Sequence, residues 1–259
     1  MYSTTGTNPN AGLFDSLKME PETRFDDEAA SWDLNPFTRK SSQLALGTIL
    51  EKFPEKVGGV RDGIVKKEDG LTVLELGCGT GLLSLLVAPY VKSLTAVDTS
   101  EGMIAALKAK FSQSANTHTN IRPICLNLDN PDDPAIQDDA SKSPKRFDLC
   151  ISHLVLHHIP DLSRILRVLY GTLAPGGHIC LTDFENFGLD ARKFHPEAKM
   201  HSVERHGIGK IEMEGLMVDA GFVDVSVRLA FTMEKDVEPE GVMKFPFLVC
   251  MGRKSKSVS

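Results

Sequence analysis

Five short apolar runs, LTVLEL, LTAVD, RPICLNL, FDLCISHL and HICLTDF, recur through the middle of the chain. Continuous apolar runs of this length, bounded by turn residues, read as buried strands. Between most of them the apolar positions fall at helical spacing, in TGLLSLLVAPYV, SEGMIAALKAKF and DLSRILRVLYGTL. Strands alternating with helices require right-handed crossovers and a parallel sheet covered on both faces, the doubly wound α/β class. NPDDPAIQDDASKSPKR, after the third run, breaks the pattern, and its prolines and acidic residues predict a surface loop with one short helical turn. Beyond the helical KIEMEGLMVDAG, two strand patterns, VDVSVRLAFTM and FPFLVCMGRK, are joined only by EKDVEPEGVMK. That link is too short for a parallel crossover, so these strands should be antiparallel neighbours.

Ahead of the first strand the spacing from Phe25 to Phe53 is helical, with a break at Asn35-Pro36, where proline disfavours helix in the preceding residue. Two helices are expected there. Residues 1–24 are expected to be mobile, with AGLFDSLKM as a short amphipathic helix within them. The expected organisation is then a helical lid and connection over 25–70, an α/β domain over 71–254 with an insertion at about 185–209, and a mobile tail over 255–259.

Composition narrows the function classes. Of the 259 residues, 41% are hydrophobic and 25% charged, enough for a core and a soluble surface. The net charge of -6, with no basic stripe, lacks the electrostatic footprint of a nucleic-acid binder, and no nucleic-acid partner is expected. No apolar run approaches the ~20 residues of a membrane span. The five cysteines stand singly, as buried free thiols in a reducing compartment would. The N-terminus has neither a signal-peptide nor a transit-peptide pattern, so the expected location is the cytoplasm, with the nucleus as the alternative.

The stretch VLELGCGTG, from Val73 to Gly81, reads as strand, tight loop and helix start. A dinucleotide fingerprint needs Gly-x-Gly-x-x-Gly, and its third glycine would fall at Leu82. Glu75 precedes the first glycine by two residues, and no lysine or arginine occurs between Val73 and Val91. A carboxylate there suits a cationic ligand better than a diphosphate. Asp98, ending the second strand in AVDTS, can accept both hydroxyls of a ribose. Thr99 and Ser100 can cap the next helix, and Met103 can pack on an adenine face.

Taken in order, VLELGCGTG, AVDTS, FDLCISHLVLHHIPDL and LAPGGHICLTDF resemble the successive motifs of class I S-adenosylmethionine-dependent methyltransferases. RFDDEAASWD and HGIGKIEMEGLMVDAGF also resemble the small-molecule branch akin to quinone-biosynthesis methyltransferases. The resemblance implies a Rossmann-like sheet of seven strands, mostly parallel with the last antiparallel, and S-adenosylmethionine as cofactor. It implies that Glu75, Gly77, Cys78 and Gly79 surround the methionine end, Asp98 holds the ribose and Met103 flanks the base, with Thr99 among the cofactor-binding residues. Asn127, Leu128 and Asp129 fall where adenine contacts are made, with either Asn127 or Asp129 on the amino group. Ser152 and His153 fall beside the sulfonium and the acceptor. The implied partner is a small organic methyl acceptor with an O, N or C nucleophile. A protein acceptor, a non-catalytic cofactor-binding subunit in a complex, and an NAD-dependent oxidoreductase are the alternatives.

His153, His157 and His158 gather at the carboxyl edge of the sheet, where ligands bind in open α/β folds. His157 and His158 are the candidate general bases, since imidazole titrates near neutrality. No further Cys or His is locally spaced to complete a metal site, and no metal is expected. Asp183 and Glu185 face the same edge, and the long connection beyond them, with His195, His201 and His206, is expected to form substrate wall. The N-terminal helices around Trp32, Phe37 and Arg39 are expected to close over the cofactor.

Overall fold

The computed structural model describes residues 21–53, 70–113, 120–138, 141–197 and 203–256. Helices α1 (Pro21–Trp32) and α2 (Pro36–Lys52) come first. The alternation follows: β1 (Thr72–Leu76), α3 (Leu82–Val87), β2 (Ser93–Asp98), α4 (Glu101–Gln113), β3 (Ile121–Cys125), β4 (Phe147–His153), α5 (Leu162–Thr172), β5 (Leu173–Phe184) and α6 (Lys210–Asp219). Strands β6 (Val223–Val237) and β7 (Gly241–Arg253) close the chain.

Local chemistry sets the breaks. The Asn35 side chain accepts the Phe37 N–H at 2.9 Å and Pro36 supplies the preset φ of a first helical residue, so α2 starts where α1 cannot continue. Asp161 caps α5 in the same way, accepting the Arg164 N–H at 2.8 Å. In the acidic loop after β3, among the described residues, Pro134–Ile136 forms a single 3-10 turn, as its composition predicts.

All seven strands form one sheet in the order β3-β2-β1-β4-β5-β7-β6. The first five are parallel, and β7 lies antiparallel between β5 and β6. Period-two alternation sends adjacent side chains to opposite faces. Val73, Leu149 and Cys180 thus pack beneath α2, α3 and α4, while Leu74, Cys150, Ile179 and Leu181 pack beneath α5 and α6. Strand order reverses between β1 and β4, which opens a crevice at their carboxyl ends.

Three boundaries differ from the sequence reading. Helix α1 begins at Pro21, inside the stretch expected to be mobile. β3 ends at Cys125, so Leu126, Asn127 and Leu128 leave the sheet. The terminal link folds into the hairpin itself, leaving only residues 238–240 as the turn, because cross-strand pairing from Met233 with Phe245 to Val237 with Gly241 carries the polar segment along. AGLFDSLKM, nearly all of the 54–70 connection, His201 and residues 257–259 lie outside the described residues.

Candidate cofactor and acceptor site

The crevice holds a cavity of about 460 Å³, within the range of small-molecule sites. One wall is the loop after β1. Gly77 and Gly81 have φ of +66° and +81°, backbone that side chains rarely adopt. A Cβ on Gly77 would lie 2.3 Å from Val155 Cγ2, and one on Gly81 would lie 2.2 Å from Leu107 Cδ1. The loop therefore needs glycine for its path and for its packing. At Gly79 (φ +53°) a Cβ would meet only Met103 Sδ, at 3.9 Å, so the backbone there faces open cavity.

Asp98 ends β2 at the cavity wall. Its Oδ2 accepts the Gly79 N–H (2.8 Å) and its Oδ1 the Ser100 N–H (2.9 Å). Burial raises its pKa, and the backbone donors offset this only in part. Each carboxylate oxygen keeps acceptor capacity toward the cavity, as a ribose would use. Ser100, rather than Thr99, caps α4, its Oγ accepting the Met103 N–H at 3.0 Å. Thr99 lines the cavity beside Met103. Asn127, Leu128 and Asp129 line it too, and Asn127 Nδ2 donates to Asp129 Oδ2 at 3.4 Å, so both polar candidates stand together.

Glu75 is buried at the cavity floor and accepts the Ser84 hydroxyl at 2.5 Å. Burial pushes its pKa up to about 8, with Ser84 opposing and Asp98 adding to the rise. With no cation beside it, the group is protonated at neutral pH. Cys78 also lines the cavity, and burial raises its thiol well above the ordinary range.

Phe25 and Trp32 of α1 and Thr38, Ser41 and Ser42 of α2 cover the cavity. Two aspartates hold α1 there. Asp26 Oδ1 accepts the Ser100 hydroxyl (2.5 Å) and the Gly102 N–H (2.7 Å) at the positive end of α4. Asp33 accepts the Thr80 hydroxyl and pairs with Lys110, both at 2.5 Å. Of the residues expected to close the site, only Trp32 lines it. Phe37 packs on Phe194 with ring centroids 5.6 Å apart, and Arg39 is exposed.

The histidines separate. His153 lines the cavity, and its Nδ1 lies 2.9 Å from the Thr182 Oγ, whose own proton goes to the Ser152 carbonyl. The ring thus carries its proton on Nδ1, leaving the buried Nε2 as an acceptor with no hydrogen-bond partner. Burial lowers its pKa to about 4, Asp183 opposing and His157 adding to the fall. Leu154, at φ +58°, turns the chain after it. His158 lines the cavity, whereas His157 is buried outside it with Nδ1 2.9 and 3.0 Å from the two Asp183 oxygens. The pairing fixes Nδ1 and leaves Nε2 basic, but His157 does not line the cavity. Ser152 is likewise no wall residue: it is buried and donates to the Leu76 carbonyl at 2.9 Å, bridging β4 to β1. Asp183 is fully buried, and the Glu185 backbone bridges to Ile208. Neither lines the cavity.

A methyltransferase domain family matches residues 74–179. An uncharacterized methyltransferase of Schizosaccharomyces pombe is 28% identical over 144 residues, covering 54% of this chain and 49% of that protein. A ubiquinone biosynthesis O-methyltransferase of Coxiella burnetii is 26% identical over 164 residues, covering 63% and 61%. The chain thus spans about half the length of the curated relatives it matches, up to 61%. Among solved structures, the N-methyltransferase NodS of Bradyrhizobium japonicum, in complex with S-adenosyl-L-homocysteine, matches with TM-score 0.57 at 18% identity over 91% of this chain and 99% of that one. At that identity the likeness is one of fold. Asp98, the open face of Gly79 and the acidic Glu75 suit a ribose and a cationic sulfonium, and no basic residue of the glycine loop suits a diphosphate. The domain match over residues 74–179, the methyltransferase relatives and the shared fold together support a class I S-adenosylmethionine-dependent methyltransferase.

Proposed function

We propose that this protein transfers the methyl group of S-adenosylmethionine to a nucleophile, most simply a hydroxyl oxygen, of a small and largely planar organic molecule. When bound, the cofactor supplies an electrophilic methyl group on sulfur. The observation that carries the reading is that one cavity is lined by residues of two unlike kinds. Gly77, Gly79, Asp98, Met103 and the 127–129 segment are one set, and Phe25, Trp32, His153 and His158 are the other. The first suits a nucleoside; the second offers flat apolar faces with ring nitrogens for one polar group. Asp98 holds the ribose, Glu75 faces the cationic end, and His153 Nε2 accepts a hydrogen bond from the acceptor. Helices α1 and α2 exclude water as a lid over the domain. Of the two candidate bases, His158 lines the cavity and His157 does not. Catalysis is then chiefly alignment in a dry site.

The ubiquinone biosynthesis O-methyltransferase relatives support an oxygen acceptor. The free cysteines, four of them buried, support a cytoplasmic location, with the nucleus as the alternative. Among the described residues no helix is long and apolar enough to cross a membrane.

Transfer of labelled methyl from S-adenosylmethionine should be assayed against phenols, catechols, amines, carboxylic acids and a protein extract. Turnover on a hydroxylated aromatic that is lost in Trp32→Ala, with cofactor affinity retained, is the expected result. Label entering only protein contradicts the small-molecule reading. Tight cofactor binding without any acceptor contradicts the enzymatic one.

A further inference from the structure

We propose that His157, His158 and His195 form a divalent metal site of the three-histidine kind suited to zinc, with Asp183 as the outer partner that orients His157. No local spacing announces it. His195 follows the 3-10 turn Leu189–Phe194 in the connection after β5, and the fold brings it to the pair that follows β4. One ring nitrogen from each of the three histidines lies within 4.8 Å of the others. The ring centroids of His157 are 4.0 Å from those of His158 and 5.0 Å from those of His195. Zn–N bonds of about 2.0–2.1 Å at tetrahedral angles set nitrogens about 3.4 Å apart, so closure needs a movement on the order of 1 Å.

The surroundings fit a ligand role better than a packing one. Both Asp183 oxygens face His157 Nδ1, and Asp183 is itself fixed by the N–H groups of Phe184 (2.8 Å) and His157 (3.1 Å). A carboxylate on Nδ1 fixes that proton and leaves Nε2 with its lone pair, the arrangement metal-bound histidines adopt. Phe184 and Phe194 pack around His157 and His195 at 5.0 Å, and Phe25 lies 5.3 Å from His158, giving a dry shell that strengthens ligation. Arg205 braces the segment, its guanidinium donating to the carbonyls of Leu156, Ile159 and Pro160. Nitrogen ligands select zinc-like ions over magnesium or calcium.

Three protein ligands, among the described residues, leave a fourth position open. His158 belongs both to the triad and to the cavity wall, so the site adjoins the cavity.

The full chain, stripped with a chelator, should be titrated with Zn²⁺ against a chromophoric competitor, and the bound ion examined by X-ray absorption. One ion per chain with three nitrogen ligands at about 2.0–2.1 Å, and no sulfur at about 2.3 Å, is expected. His195→Ala should lose at least ~10-fold in zinc affinity while binding S-adenosylhomocysteine as the parent does, and Asp183→Asn should lose about 10–100-fold. Absence of stoichiometric zinc, sulfur ligation through the exposed Cys125, or unchanged affinity in His195→Ala overturns the proposal. The S-adenosylhomocysteine titration reports separately on the cofactor, so failure of the metal site and failure of the methyltransferase reading give different results.

Discussion

The Gly79 N–H donates to Asp98 Oδ2 at 2.8 Å, so the loop after β1 and the carboxylate that ends β2 are one unit. Asp98→Ala should therefore act twice. It removes the ribose acceptor and leaves the Gly79 and Ser100 N–H groups without their partner. Loss of such a partner at a buried site costs about 1–3 kcal/mol. Thermal melting should show a lowered Tm, and S-adenosylhomocysteine affinity should fall at least ~10-fold, since about 1.4 kcal/mol is tenfold in binding. Asp98→Asn, which keeps one oxygen acceptor, should fall between parent and alanine in both measurements.

Two glycines of the same loop should respond differently. Gly81→Ala drives a Cβ against Leu107 at 2.2 Å and should reduce the yield of folded protein. Gly79→Ala meets only Met103 Sδ at 3.9 Å. Its left-handed backbone costs about 1 kcal/mol, while the new methyl group projects into the cofactor space. Chemical denaturation should show modest destabilisation of Gly79→Ala, and calorimetry a much larger loss of cofactor binding.

Glu75 makes cofactor binding pH-dependent. Its carboxyl, at about 8, is protonated below that pH in the free protein, and a bound sulfonium and ammonium favour the ionised form. S-adenosylmethionine binding should release a proton at neutral pH and tighten as pH rises toward about 8, then level off. Calorimetry in buffers of different ionisation enthalpy counts that proton. Glu75→Gln should abolish the release. In the free protein the sign for stability is opposite: the folded pKa is raised, so its contribution is full below about 4.5 and is lost as pH rises through about 8.

Asp26 and Asp33 hold helix α1 over the cavity through polar contacts. The double variant Asp26→Ala, Asp33→Ala should fold normally, exchange the amide hydrogens of residues 21–32 faster, and release S-adenosylhomocysteine more quickly. Unchanged exchange there would show that α1 is anchored by other contacts.

What the sequence made legible is local. The spacing of Gly77, Gly79 and Gly81, with Leu82 where a third fingerprint glycine would stand, separates this loop from a dinucleotide turn without any tertiary information. Asp98 and Met103 follow because strand ends and helix starts position them directly. Phe25, Ser41 and Ser42 were not legible, since helical spacing marks an inward face without saying what it covers. Ser152 and His157 sat at the right edge of the sheet, but period two turned Ser152 toward Leu76, and Asp183 claimed His157. His195 stands in a connection with no periodicity, and its approach to His157 and His158 is a product of the whole fold.

Whether the crevice between β1 and β4 holds S-adenosylmethionine is read by calorimetric titration of the full chain with S-adenosylhomocysteine, with NADH as comparison. One-to-one binding of S-adenosylhomocysteine, lost in Asp98→Ala, and no heat with NADH are expected. Folded protein that takes up NADH, or that leaves S-adenosylhomocysteine unbound, would contradict S-adenosylmethionine binding there.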